Sequence, residues 1–404
     1  MKNKWEILIT DKEKVKDIEG QIQKIDGIIN AHIANIDDAG LFSGFAGILL
    51  HKAAMWQYFK SEQYYNDCSN ILNRIFDVIE NRQREDNSYC SGIAGVGMVL
   101  RHLVKKELFD FDYKSVIDEF TPPIINTLEL CIENNFLDFL YGATGLGIYL
   151  LDTDETGVYN HHVESIINHI EKVSVPGPDG RMLEQYEPYD PPFTGCNFGL
   201  AHGIPAILVF LSKASEKGIM KEHTAQLTAE IVDYLLSNRN TNPADISAFP
   251  NFITDHPSKQ DRYSRLAWCY GDLGVCASLM LYAGTHNNKR VMDIASEVLV
   301  NASFRLNQDE PIPATDPFFC HGTAGMAHIF NRAYNITGAP QLKHAVNVWV
   351  QESFNYLNDN AFLETLKTNN DKADLLNGIA GTSLVLLSLI TGENPDWDKF
   401  FLLS

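Results

Sequence analysis

The chain has 404 residues, 45% hydrophobic and 21% charged, which is ordinary for a folded soluble protein and too long for one small core. Its 52 acidic against 32 basic residues give a net charge of -20, a surface that repels phosphate backbones and excludes general nucleic-acid binding. Residues 1–10 carry no apolar run ending in a small-residue cleavage site, and the most apolar stretch, Gly378 to Ile390, is too short and too rich in Gly, Ser and Thr for a membrane span.

Taken in chain order, a short G-x-x-G-like unit followed by an apolar run recurs throughout. It reads SGFAGILL at Gly44, SGIAGVGMVL at Gly92, YGATGLGIYLL at Gly142 and HGIPAILVFL at Gly203, where Ala206 replaces the second glycine. It returns as YGDLGVCASLML at Gly271, HGTAGMAHIF at Gly322 and NGIAGTSLVLLSLI at Gly378. The spacings of 48, 50, 61, 68, 51 and 56 residues leave room for two helices of about 15 residues in each unit. Stretches between the motifs, such as Tyr64–Glu80 and His223–Leu236, carry apolar residues at helical spacing and predict amphipathic helices. The helix after each motif is apolar on nearly every side and is expected to be buried. Small residues at i and i+3 allow close backbone approach where it begins. Strand signals are almost absent. These features predict an all-α fold, an (α/α)7 toroid or barrel of seven outer–inner helical hairpins, in a single domain over residues 1–404. An open solenoid would show the same local pattern.

Three connections are long and rich in proline or glycine: 175–199, 238–264 with Pro243, Pro250 and Pro257, and 307–319 with Pro311, Pro313 and Pro317. Each runs into a glycine motif, so the elaborated loops gather on the rim where buried helices begin. Function is expected there.

Polar residues recur at fixed offsets on that rim. Cys269 and Cys320 sit two residues before a motif glycine, and His202 and His321 one before. Asp138 precedes Gly142 by four residues and Arg265 precedes Gly271 by six. In a ring these offsets face one mouth. Seven cysteines with no tight pairing pattern, in a chain without a secretion signal, point to reduced thiols and a cytoplasmic location. Two cysteines and a histidine can make a catalytic zinc site with an open fourth position. They can equally be small buried residues filling the rim. Cys90 shares the offset but lies three repeats from Cys269 and reads as core. Cys68, Cys131, Cys196 and Cys276 lie off the offset and read as packing.

The set GLAHGIP (199–205), R-x-x-WCYGD (265–272) and CHGTAG (320–325) on seven hairpins resembles the LanC-type lanthipeptide cyclases over essentially the whole chain. The likeness is specific at the two cysteine motifs and looser in the first two repeats. It implies the α/α toroid, one zinc ion per chain on Cys269, Cys320 and His321, and a site lined by His202, Asp138 and Arg265. The match of Asp138 rests on one aligned carboxylate. The implied reaction adds a cysteine thiol to the β-carbon of a dehydroalanine or dehydrobutyrine in the same peptide. A free thiol is only a few per cent thiolate at neutral pH, and a zinc ion would supply the ionised form.

In that setting His202 suits acid/base work and Asp138 would orient it. Arg265 offers a permanent charge for an enolate or the peptide backbone. Tyr270 and Trp268 flank a metal ligand, to shape the pocket or to pack the rim. Asp272 reads as a first-turn carboxylate favoured by the helix dipole. His161, His162, His169 and His328 fall away from the repeated offset. The implied partners are a dehydrated precursor peptide and, by family only, a dehydratase and a peptide transporter, which would place the protein peripherally at the inner membrane. LanC enzymes can also carry a small inserted domain, which the sequence does not distinguish from long loops. Two other readings remain: a LanC-like zinc protein that binds a small thiol such as glutathione, and an α/α-barrel glycoside hydrolase. The hydrolase would need paired carboxylates at the mouth, and Asp138 and Asp272 make no obvious pair.

Overall fold

The computed structural model describes residues 5–81, 85–188, 192–242, 244–256 and 262–404. Pro243 and Pro257 lie outside the described residues, as do 189–191 of the first long connection. The helices are, in chain order, α1 (Lys12–His32), α2 (Phe45–Phe59), α3 (Glu62–Asn81), α4 (Ile93–Lys105) and α5 (Tyr113–Glu133). There follow α6 (Ala143–Thr153), α7 (Asn160–Val173), α8 (Ile204–Glu216), α9 (Lys221–Ser237) and α10 (Asp272–Thr285). The last are α11 (Lys289–Ala302), α12 (Thr323–Thr337), α13 (Pro340–Asn358), α14 (Asn360–Thr368) and α15 (Ile379–Ile390). Among the described residues, seven helices start at a motif glycine: α2, α4, α6, α8, α10, α12 and α15. Every residue of α15 is buried. The helices between them bury one stripe, as α11 does with Val291, Ala295, Val298, Leu299 and Ala302. None of the described helices is long and apolar enough to cross a membrane.

The glycines explain how each buried helix begins. The six residues before the motif loop back over the helix start, bringing the carbonyl six positions earlier against the first glycine. A Cβ on Gly203 would lie 2.2 Å from the Asn197 carbonyl oxygen. At Gly271 the same contact, to Arg265, would be 2.2 Å, and its φ of +84° adds a left-handed backbone that side chains resist. The second motif glycine repeats the device three residues on: a Cβ on Gly274 would meet the Trp268 carbonyl at 2.3 Å.

The chain forms two compact units, Met1–Ile124 with Ala314–Trp397, and Ile125–Pro313 with Asp398–Ser404. In the first unit α12 packs on α15, α15 on α2, and α2 on α4. The last hairpin therefore stands beside the first, which an open solenoid would keep apart. A row of backbone hydrogen bonds follows the same order, always from the position two before the motif glycine. The Cys320 N–H donates to Leu376 O at 3.0 Å, Leu376 N–H to Phe42 O at 3.3 Å, and Phe42 N–H to Cys90 O at 2.9 Å. The outer helices are tied in by buried charge. Lys52 of α2, fully buried, reaches Asp26 of α1 at 2.6 Å and Asp67 of α3 at 3.0 Å. Burial alone would raise the Asp26 carboxyl, but His51 and Lys52 beside it outweigh that and hold it at about 2.

In the second unit α6 packs on α8 and α8 on α10. The row recurs there, with Ala201 N–H donating to Cys269 O at 3.3 Å. This unit departs from the strand-free expectation. The connection 175–199 holds β1 (Val175–Gly177), β2 (Gly180–Met182), β3 (Gln185–Glu187) and β4 (Phe193–Asn197), and the next long connection holds β5 (Phe252–Ile253). β1 and β2 form an antiparallel hairpin, and β3, β4 and β5 an antiparallel sheet in that order. Strands of two to five residues are too short for an alternating pattern to show. Tertiary contacts set them instead: Arg181 of β2 pairs with Glu230 of α9 at 2.7 Å. β4 leads directly into the fourth motif.

Candidate active site and metal donors

The second unit holds a cavity of about 390 Å³ whose lining includes Asp138, Gln185, Glu187, His202 and Tyr270. Asp138 is buried in the loop before Gly142, where its Oδ1 accepts the Tyr141 N–H at 2.8 Å. Its Oδ2 lies 2.5 Å from His202 Nδ1. A carboxylate only accepts, so Nδ1 carries the hydrogen in this pair and Nε2 is left as the exchangeable nitrogen. Burial alone would push the His202 imidazole down. The hydrogen bond and charge of Asp138, with the charges of Cys269 and Glu187, outweigh burial and raise its pKa.

Tyr270 owes its place to a glycine. A Cβ on Gly199 would lie 2.7 Å from the ring's Cε1, so the phenol can lie against this backbone only where no side chain stands. Phe252 of β5 packs on the same ring at 5.7 Å. The two readings open for Trp268 and Tyr270 divide: Tyr270 lines the cavity, whereas Trp268 is fully buried with its indole donating to Phe401 O at 2.8 Å. Arg265 is half-buried six residues before Gly271, outside the cavity's described lining.

Asp272 has a structural task larger than its position in the first turn of α10 suggests. It accepts the N–H groups of Ala248 and Phe249, each at 2.9 Å, pinning the 238–264 connection, and pairs with Arg305 at 3.1 Å. Burial pushes its carboxyl up against the opposing pull of Arg305 and the two amides. Asp272 lies outside the cavity that Asp138 lines, so these two carboxylates do not form the pair that a hydrolase would need. His328 is buried in an aromatic nest with Trp397 at 4.6 Å, and His161 lies against His162 at 3.9 Å.

Glu187 and Asn197 belong to the site's surroundings and the sequence reading missed them. A usable signal existed: Asn197 stands six before its motif glycine, as do Asp38, Asp86 and Asp316. Each of these side chains accepts the N–H two residues on, at 2.8, 2.6, 2.8 and 3.0 Å respectively, making the same Asx turn.

None of the seven cysteines is in a disulfide. Burial pushes the Cys68 thiol up to about 12, those of Cys131 and Cys196 to about 11, and that of Cys276 well up, leaving poor nucleophiles that pack. In the second unit Cys269 is buried at the start of α10; in the first unit Cys320 and His321 are half-buried at the start of α12. His321 Nε2 lies 4.0 Å from Asp316, a carboxylate of the kind that orients ligating imidazoles. Cys269, Cys320 and His321 each offer one atom of a kind that ligates metal. Two thiolates and an imidazole suit zinc and disfavour hard ions such as magnesium or calcium.

Comparison with known proteins gives this arrangement a family. Residues 35–402 match the family described as lanthionine synthetase C-like protein. The chain is 24% identical over 407 aligned residues to nisin biosynthesis protein NisC of Lactococcus lactis subsp. lactis, an alignment covering 94% of this chain and 93% of that one. Among solved structures it is similar to nisin cyclase, with a TM-score of 0.74 and 20% identity over 97% of this chain and 98% of that one. The shared fold is the all-α toroid class that the seven motifs predict. The chain belongs to the lanthionine synthetase C-like family.

Proposed function

We propose that this chain is a zinc-dependent cyclase forming lanthionine and methyllanthionine rings in a dehydrated precursor peptide. The Asp138–His202 pair in the wall of a cavity shared with Tyr270 carries the reading, with the family and its nisin-directed relatives behind it. The reaction is an intramolecular Michael addition. A C–S bond forms at the β-carbon, the C=C π bond breaks, and the thiol proton is replaced by one delivered to the α-carbon. A zinc ion on Cys269, Cys320 and His321 would supply the substrate thiol in its ionised form. His202, held by Asp138 through Nδ1, keeps Nε2 for that proton. Arg265 offers charge to the developing enolate or the peptide backbone, and the Tyr270 hydroxyl a further donor. A dehydratase and a transporter are the proposed companions of such an enzyme, in the cytoplasm or at the inner membrane.

The test is incubation with a dehydrated, cysteine-containing precursor at about pH 6–7, where uncatalysed thiolate is scarce. The precursor mass should stay fixed while alkylatable thiols disappear. His202→Asn should keep its zinc and lose cyclisation on the order of 10²-fold. Thiols that persist at the no-enzyme rate would overturn the cyclase reading. A mass gain equal to glutathione would indicate the thiol-binding relative instead.

A further inference from the structure

We infer that Asn197 is a positioning residue for Tyr270, and that Glu187 fixes Asn197 in that task; the inference rests on the cyclase reading above. Asn197 is fully buried at the end of β4. Its amide nitrogen donates to Glu187 Oε1 at 2.8 Å and to the Tyr270 hydroxyl oxygen at 3.3 Å. Its Oδ1 accepts the Gly199 N–H at 2.8 Å. These partners fix the amide's orientation, because a backbone N–H only donates and a carboxylate only accepts.

The turn that Asn197 makes with Gly199 needs only Oδ1. Asp38, Asp86 and Asp316 make the same turn in three other repeats with a carboxylate. The part of Asn197 that the turn does not use is its NH₂ group, and both contacts that leave the turn are made by that group. It faces Tyr270, whose ring already lies against Gly199. The ring is set by the absent side chain and its hydroxyl by the amide. A phenol oxygen that accepts from Asn197 directs its own hydrogen elsewhere, so Tyr270 is held as a donor in a cavity that also presents His202.

Glu187 links the two sides of this cavity. It lines the wall, is only 7% exposed, and its charge is among those that keep the proton on His202. Through Asn197 the same carboxylate anchors Tyr270. Asparagine alone among side chains of this size provides one acceptor for the turn and two donors for Glu187 and Tyr270. Aspartate would keep the acceptor, lose both donors, and set a second negative charge against Glu187.

Asn197→Asp is therefore the informative variant, made in the zinc-loaded full chain and assayed on the dehydrated precursor. We expect kcat to fall by about tenfold or more with KM changed within about twofold, and the thermal midpoint to stay close to native. The same change should add nothing in a Tyr270→Phe background. Glu187→Gln, which still accepts at Oε1 but removes a charge that favours the His202 proton, separates the two roles, because any loss it causes should persist in a Tyr270→Phe background. If Asn197→Asp does not accumulate, Glu187→Ala releases the amide from its other side, and its effect on Tyr270 is read by fluorine resonance rather than by rate. For Asn197→Asp, an equal loss in both Tyr270 and Phe backgrounds, or an unchanged kcat, would overturn the inference. A readout independent of catalysis is the ¹⁹F resonance of 3-fluorotyrosine placed at 270. It should shift or broaden in Asn197→Asp and hold in Glu187→Gln. Should the native chain close no ring at all, the cyclase reading falls, while an unmoved fluorine resonance in Asn197→Asp would separately overturn the role given to Asn197.

Discussion

His202 shows how one side chain's proton is governed by residues that the fold, not the local sequence, supplies. Its Nδ1 partner is 64 residues earlier in the chain, and two of the charges that favour its protonated form lie on a strand and at another helix start. The sign of the resulting pH dependence follows from the raised pKa. A proton bound more tightly in the folded chain stabilises it fully below the imidazole's ordinary value, about 6.5, and that contribution is lost as pH rises through the higher folded value. Asp138→Asn keeps an acceptor for the Tyr141 N–H but removes the charge opposite His202. The gap in unfolding midpoint between native and Asp138→Asn should therefore be wider at about pH 6 than at about pH 9. Equal gaps at both would mean that Asp138 does not hold the His202 proton.

Elements divide into those written in a pattern and those set by distant partners. The seven buried helices are legible because each needs glycines at fixed places and an apolar run after them. His202 is legible for a similar reason, since its offset recurs at His321, whereas Asp138 stands at an offset of its own and Tyr270 reads as the flank of a cysteine motif. The strands β1 to β5 are not legible, nor are Gln185, Glu187 and Asn197 as neighbours of the site. The pairing of so short a strand depends on side chains such as Arg181 and Glu230, which stand 49 residues apart. Asp272 illustrates the same limit, because its position in the motif suggests a dipole effect while its partners lie in two connections. Arg305 joins them. It is bidentate to Glu310 at 2.7 and 2.6 Å, pairs with Asp272 at 3.1 Å, and donates to Ser264 O at 2.8 Å. Arg305→Met would leave two carboxylates buried without their cation, and should destabilise the fold by about 3–5 kcal/mol in chemical unfolding. A loss below about 1 kcal/mol would show that the loop amides alone satisfy Asp272.

For the molecule as a whole, the core is built by repeated hairpins, so the proposed metal should matter to chemistry far more than to folding. Chelation should slow thiol loss from the precursor yet leave the far-ultraviolet dichroism of the protein essentially unchanged. Cys269→Ala, Cys320→Ala and His321→Ala should each lower zinc content sharply, measured by elemental analysis of the purified protein. Full zinc in Cys320→Ala would remove that cysteine from the donor set. Global unfolding on chelation would make the ion a structural one, as in a zinc finger.

The row of hydrogen bonds two residues before motif glycines, found within each unit, gives this division a cause. It is made of peptide groups alone, so the frame at these positions is indifferent to what the side chain is. Phe42, Cys90, Cys320 and Leu376 make the row in the first unit, and Ala201 and Cys269 in the second, with side chains as different as a phenyl, a thiol, a methyl and an isobutyl group. The rim behaves as a set of interchangeable sockets: its chemistry can be rewritten one residue at a time while the scaffold stays as it was. Only proline, which removes the N–H itself, is barred from the donor places. Cys320→Pro should break the frame where Cys320→Ala merely empties a socket, a difference that protease sensitivity would read directly.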